Sequence, residues 1–219
     1  MIICLCGQKG GSGKSTLSQS IASEYMRRGR HVFLGDADPQ GTSLSWAAAA
    51  EGAATERPTV LGLPEGFHAP GQVPTVAKQF DRTVIDTAPR LDSIQRSALA
   101  IATLALFPVS AGPAETWAFA EPLRLIREAQ AFRPELKVGV ILNRHQRTSM
   151  TRETVATMEA TGVRVLKTRI GLRTAFQQAM AAGEGVTTYE PQSAAAKEIM
   201  SLVDEIEEIC NAKEDDAAA

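Results

Sequence analysis

Gly7-Gln8-Lys9-Gly10-Gly11-Ser12-Gly13-Lys14-Ser15 decides how the rest of the chain is read. The run closes in Gly13-Lys14-Ser15, the end of a phosphate-binding loop. In such a loop backbone N–H groups point at phosphate oxygens, the lysine neutralises β/γ charge, and the hydroxyl sits on Mg²⁺. The surroundings agree. Ile2–Cys6 reads as a strand, and a helix follows from Lys14 to about Arg28, closed by Gly29. Thr16 falls at the helix start, where side-chain oxygens and N–H groups favour an anion. Lys9 is a second cation in the same loop. Lys14 already serves this site, so Lys9 reads as a charge meant for another nucleotide or for a partner's site.

Outward from the loop, short apolar runs alternate with helix-like stretches. That alternation predicts βαβ units, hence an α/β fold with a mostly parallel, twisted sheet flanked by helices on both faces. Further strands are expected at His31–Gly35, Thr59–Leu63, Thr83–Ile85, Ala102–Val109, Val138–Leu142 and Val163–Lys167. Helices are expected after Gln40, through the alanine run Ala47–Ala50, and at 92–101, 114–132, 149–161 and Ala194–Ile209, with an irregular connection over 51–74. Residues 1–210 read as one domain, followed by an acidic, polar tail at 211–219 that frays.

The 219 residues carry a net charge of −2, with 44% hydrophobic and 22% charged residues, a balance that suits an ordinary globular protein. Three cysteines, an odd number with no CxxC pair, argue against a disulfide framework and for a reducing cytosol. Cys4 and Cys6 alternate along a strand and read as small buried hydrophobes. Met1 leads straight into a strand, which leaves no room for a signal peptide. No apolar run approaches the ~20 residues of a membrane span. The expected location is cytoplasmic.

Two acidic strand ends supply what Mg²⁺-dependent hydrolysis needs. Asp86 follows Thr83-Val84-Ile85 and suits a metal-holding carboxylate, directly or through water. Asp36 and Asp38 end the second strand. In an open parallel sheet ligands bind beyond the carboxyl ends of the strands, which places this pair near the phosphates. One carboxylate would orient water while the other serves the metal shell or anchors the loop.

These residues carry a family resemblance. Lys9-Gly10-Gly11-Ser12-Gly13-Lys14-Ser15 resembles the deviant Walker A motif of the ParA/MinD ATPases. Phe33-Leu34-Gly35-Asp36-Ala37-Asp38-Pro39-Gln40-Gly41 and Val84-Ile85-Asp86-Thr87-Ala88-Pro89 resemble two further segments of that superfamily, and Pro191-x-Ser193 before the last helix also fits. Ser12 stands where Val is frequent, Gly35 interrupts a usually aliphatic strand, and Ala88 replaces a frequent Pro. None of these departures removes a reacting group. The resemblance implies ATP and Mg²⁺ as cofactors. Lys9 is implied to reach across a nucleotide-sandwich homodimer. Gly10, Gly11, Ser12, Gly13, Lys14, Ser15 and Thr16 would cradle phosphate, and Asn143 would contact adenine. Asp38 would activate water, and Ser15, Asp36 and Asp86 would serve the metal.

Between Lys137 and Arg173 eight Lys/Arg stand against Glu153 and Glu159, a local +6 that leaves −8 for the remainder. A basic face of this kind suits sequence-independent contacts with DNA phosphates. With the resemblance, Arg173 is the leading candidate, followed by Arg144, Arg147, Lys167, Arg169 and Lys197. The implied protein is a short ParA-type partition or cargo-positioning ATPase. It would be nucleoid-associated, bind non-specific DNA as an ATP-dependent dimer, and hydrolyse ATP on stimulation by a ParB-like or other cargo adaptor. The last helix carries Glu198, Asp204, Glu205, Glu207 and Glu208, a charge that anionic lipid would repel, so no membrane partner is expected. The alternatives are an ATP-dependent regulatory module without DNA binding and a MinD-like peripheral membrane ATPase.

Overall fold

Ile2–Leu5 forms the first strand, β1, because its residues are apolar on both faces and the sheet is covered on both sides. The structure is a computed structural model that describes residues 1–49, 57–89, 93–146 and 148–212. The other strands are β2 (Val32–Ala37), β3 (Thr59–Gly62), β4 (Arg82–Thr87), β5 (Leu104–Val109), β6 (Lys137–His145) and β7 (Arg164–Gly171). They make one seven-stranded sheet in the order β3-β2-β4-β1-β5-β6-β7, and every pairing is parallel.

Residues of opposite parity along each strand feed two cores. Ile3, Leu5, Leu34, Val84, Leu106 and Ile141 face one side; Cys4, Cys6, Phe33, Ile85, Phe107 and Leu142 face the other. The first core is covered by α1 (Lys14–Arg27), α2 (Thr42–Ala49), α8 (Thr174–Ala181), α9 (Val186–Tyr189) and α10 (Ala194–Asn211). The second is covered by α3 (Val73–Val76), α4 (Ser93–Ile101), α6 (Ala120–Phe132) and α7 (Ser149–Glu159). A short α5 (Pro113–Ala118) follows β5. The α/β class, the parallel sheet and the two helical layers match the sequence reading. Cys4 and Cys6 share a face as expected, and burial pushes the Cys6 thiol up to about 12.

The differences are local. The strands β2 and β4 run on through Asp36 and Asp86, where the sequence reading stopped at Gly35 and Ile85. The predicted helix 114–132 is two helices, and α3, α8 and α9 were not foreseen. Gly35 has a packing reason: a Cβ there would lie 2.6 Å from Leu63 Cδ1. Among the described residues no helix is long and apolar enough to cross a membrane. Arg147 and residues 213–219 of the tail lie outside the described residues.

Candidate functional site

β1 sits at the centre of the sheet, between β4 and β5, and the chain leaves its carboxyl end through the glycine loop. Gly11 and Gly13 take φ of +73° and +93°, conformations open to glycine. Gly13 is doubly required, since a Cβ would lie 2.2 Å from Asn143 Nδ2. Asn143, 6% exposed at the end region of β6, donates to Ser12 O at 2.6 Å and accepts from Arg144 N at 2.9 Å. It therefore braces the loop from β6, two strands away from β1. Arg144 has a φ of +53°, alone among the described non-glycine residues in being positive.

The two lysines of the loop face different ways. Lys14 is buried, and its Nζ donates to Lys9 O at 3.1 Å. Burial lowers its pKa, against the pull of Asp86 and Asp38. Lys9 is 41% exposed at its side chain, and its Nζ reaches Glu115 Oε1 at 2.9 Å and Ala114 O at 3.2 Å.

Register brings the acidic residues together. Asp36 of β2 lies opposite Asp86 of β4, and Asp86 lies opposite Leu5 of β1, one turn of chain before the loop. Asp36 is occupied: Oδ1 accepts from Asp38 N at 3.1 Å, and Oδ2 from Ser43 N at 2.8 Å and Leu44 N at 3.0 Å. It anchors the Asp38–Gly41 turn and the first turn of α2. Ser43, fully buried, then donates its hydroxyl to Asp86 Oδ2 at 2.8 Å, which ties the two carboxylates through one residue. Asp38 is half-buried, accepts from Gln40 N at 2.9 Å through Oδ1, and stands at the mouth of the site.

Asp86 is fully buried, yet its Oδ1 has no hydrogen-bond partner among the described residues. Burial raises its pKa to about 7, opposed by the Ser15 and Ser43 hydroxyls and Lys14. An orphaned buried carboxylate oxygen beside a loop hydroxyl fits a divalent cation, because such a group is costly unless a charge compensates it. The residues present thus suit Mg²⁺ held through Ser15 and Asp86, directly or through water.

Gln95 also connects the site and was not read from the sequence. Gln95, buried in α4, accepts from Gly7 N at 3.2 Å. Its amide donates to Gly7 O at 3.2 Å, Thr87 Oγ1 at 3.0 Å and Ala88 O at 2.9 Å. It fastens the start of the loop to the end of β4. The available signal was a polar residue on the buried face of a helix, beside Ile94, Ala98 and Leu99. Glu115 and Ser43 were missed as well.

The basic candidates are only partly gathered. Lys167 and Arg169 on one face of β7, with Arg173 before α8 and Arg152 of α7, line a basin of about 680 Å³. Arg144 and Arg173 line a smaller cleft with Gly13, Thr16 and Asn143, so Arg173 borders both. Lys197 is exposed on α10 and lines neither. Part of the acidic charge of α10 is spent inside the molecule. Asp204 pairs with Arg28 and Glu207 with Arg82; Glu205 accepts from Lys167 N at 2.7 Å and Thr168 N at 2.8 Å, where the β6–β7 register slips.

A glycine loop at the end of a central parallel strand, with its lysine buried against a metal-ready carboxylate, belongs to the P-loop nucleotide hydrolases. Within that class the chain belongs to the CobQ/CobB/MinD/ParA nucleotide-binding domain family, whose model matches residues 3–186. It is 31% identical over 209 residues to maintenance of carboxysome distribution protein A of Halothiobacillus neapolitanus, covering 93% of this chain and 95% of that protein. It is 27% identical over 238 residues to the chromosome-partitioning ATPase Soj of Thermus thermophilus, covering 93% and 94%. The fold matches MinD of Pyrococcus horikoshii, solved with Mg-ADP, with a TM-score of 0.74 at 18% identity over 96% of this chain and 97% of that one. The protein is therefore a nucleotide-binding domain of this family.

Proposed function

We propose that this chain is a ParA-type switch: ATP joins two copies, the dimer holds non-specific DNA, and an adaptor on a cargo triggers hydrolysis and release. The observation that carries this reading is the division of labour between the loop lysines. Lys14 is buried and turned into the loop, whereas the Lys9 side chain turns away from it to Glu115. A cation placed there suits the nucleotide of a facing copy. Relatives named for carboxysome distribution and for chromosome partitioning make the positioning of a cargo the work they share, and favour a cytoplasmic protein that travels on the nucleoid.

Each residue then has a role. Backbone N–H groups of Gly10–Gly13, Lys14 and Thr16 receive the phosphates, and Lys9 neutralises charge in the opposite site. Ser15 and Asp86 hold Mg²⁺, which supplies Lewis-acid stabilisation of charge on the transferred phosphoryl oxygens. Asp38 orients the attacking water, being the carboxylate at the mouth with an oxygen not engaged by backbone. Asp36 acts through position, since both its oxygens are held by backbone N–H groups. Asn143 braces the loop and borders the cleft suited to the base.

The basic basin supplies phosphate contacts, and pairing two basins in a dimer multiplies a weak affinity. The test is ATP-dependent retention on DNA of arbitrary sequence. Lys9→Ala should bind ATP, stay monomeric and lose retention; retention undiminished in that variant rejects the reading. Dimerisation with ATP but without DNA retention would favour a regulatory module that acts on proteins alone.

A further inference from the structure

Arg173 is the one cation of the basic basin that has a partner among the described residues. Arg152, Lys167 and Arg169 form no ion pair there, and the lone carboxylate lining the basin is Glu198. Glu198 Oε1 and Oε2 each accept from Arg173 Nε at 3.1 Å, Nη2 adds a further bond, and Oε2 also accepts from Gly171 N at 3.0 Å. This is the fork geometry in which a guanidinium takes two oxygens of a phosphate. The three unpaired cations come from two elements, α7 and β7, and converge on the same space.

We propose that the basin is a seat for a phosphodiester of the DNA backbone, and that Glu198 occupies Arg173 in the free chain as an internal substitute for that phosphate. The seat rests on the DNA-binding reading above and adds a residue that limits it. Binding is then an exchange. The phosphodiester takes Arg173 together with Arg152, Lys167 and Arg169, while Glu198 keeps the Gly171 amide and gives up the guanidinium. Both partners are partly exposed, 39% for Arg173 and 21% for Glu198, so the exchange is cheap and screened by salt. Glu198 thereby keeps the affinity of a single copy low, and leaves retention to depend on two basins acting together. Arg173 also borders the cleft beside Gly13 and Asn143, so it lies on both the nucleotide-loop side and the basin.

Glu198→Gln tests this, because glutamine still accepts from Gly171 N but no longer holds the guanidinium by charge. With ATP and Mg²⁺, retention on a short fluorescent duplex of arbitrary sequence should tighten roughly fivefold. Its logarithmic salt slope should steepen by about one phosphate contact. Glu208→Gln removes one exposed charge from the same helix away from the basin, and should change retention less than about twofold. Adding Arg173→Ala to Glu198→Gln should abolish the gain. A Glu198→Gln effect no larger than that of Glu208→Gln, or a gain that survives Arg173→Ala, overturns the proposal while leaving DNA binding itself intact. If neither the parent chain nor Glu198→Gln is retained although both dimerise with ATP, the DNA reading falls and this one with it. Tightening on anionic vesicles in place of the duplex also overturns it. An unchanged melting temperature for Glu198→Gln confirms that the Gly171 anchor is kept.

Discussion

Lys9 Nζ and Glu115 Oε1 lie 2.9 Å apart, so the outward lysine of the phosphate loop is held by the first turn of α5 in its own subunit. For Lys9 to serve a second copy, that pair must open. The lysine is 41% and the glutamate 23% exposed, which sets the cost of opening at about 1 kcal/mol or less. Glu115→Gln should therefore strengthen ATP-dependent dimer formation by up to about fivefold for each of the two pairs opened, and Lys9→Ala should abolish it. Light scattering with ATP and Mg²⁺ reads both; a Glu115→Gln dimer weaker than the parent would give Glu115 a supporting role across the interface.

Trp117 offers an internal reporter two residues further along α5. It is 78% exposed, whereas Trp46, the second of the two tryptophans, is 4% exposed and bonded to Glu184 O. If the Lys9 face is the one that meets a second copy, ATP should shift the emission of Trp117 to the blue, and Lys9→Ala should lack the shift. An ATP-driven dimer whose Trp117 emission does not move would place the interface elsewhere.

Asp86 predicts a pH dependence. Burial raises its pKa from 3.8 to about 7, so the folded chain binds its proton more tightly than the unfolded chain does. Its contribution to stability is full below the unfolded value and is lost as pH rises to about 7, a change of a few kcal/mol. Asp86→Asn should remove that slope and make the nucleotide-free chain more stable than the parent at pH about 8, while ATP hydrolysis is lost. Equal denaturation midpoints for the two chains across this range would contradict it.

Gln95→Ala should cost about 2–4 kcal/mol, because it leaves buried groups of Gly7, Thr87 and Ala88 without their partner. A chain of this length would melt roughly 5–15 °C lower. ATP affinity should fall beyond what the melting shift explains, since Gly7 N leads into the loop. An affinity equal to the parent's under conditions where both chains are folded would make Gln95 a stability residue only.

The loop, its lysines and the aspartates were legible because each lies in a contiguous motif whose chemistry needs those residue types in that order. The ends of β2 and β4 were not. A carboxylate inside an aliphatic run reads as a strand end, but Asp36 and Asp86 are kept in the sheet by pairing with each other and by Ser43. Gln95, Glu115 and Glu198 act on partners 88, 106 and 25 residues away, a relation no local pattern encodes. The basic stretch was visible as charge, yet folding sorted it: Lys167, Arg169 and Arg173 share a basin with Arg152, which had not been singled out, whereas Lys197 lies outside it. The acidic run of the last helix was read only as a charge that anionic lipid would repel. Its Glu198 and Glu205 turn out to satisfy backbone N–H groups along β7.

ATP is expected to control DNA binding through Lys9. The direct measurement is retention of the full chain on duplex DNA of arbitrary sequence, with ATP, with ADP and without nucleotide, over a series of salt concentrations. Retention that requires ATP, weakens steeply with salt and disappears in Lys9→Ala is the predicted result. Retention that is equal with ATP and ADP, or that persists in Lys9→Ala, would contradict it.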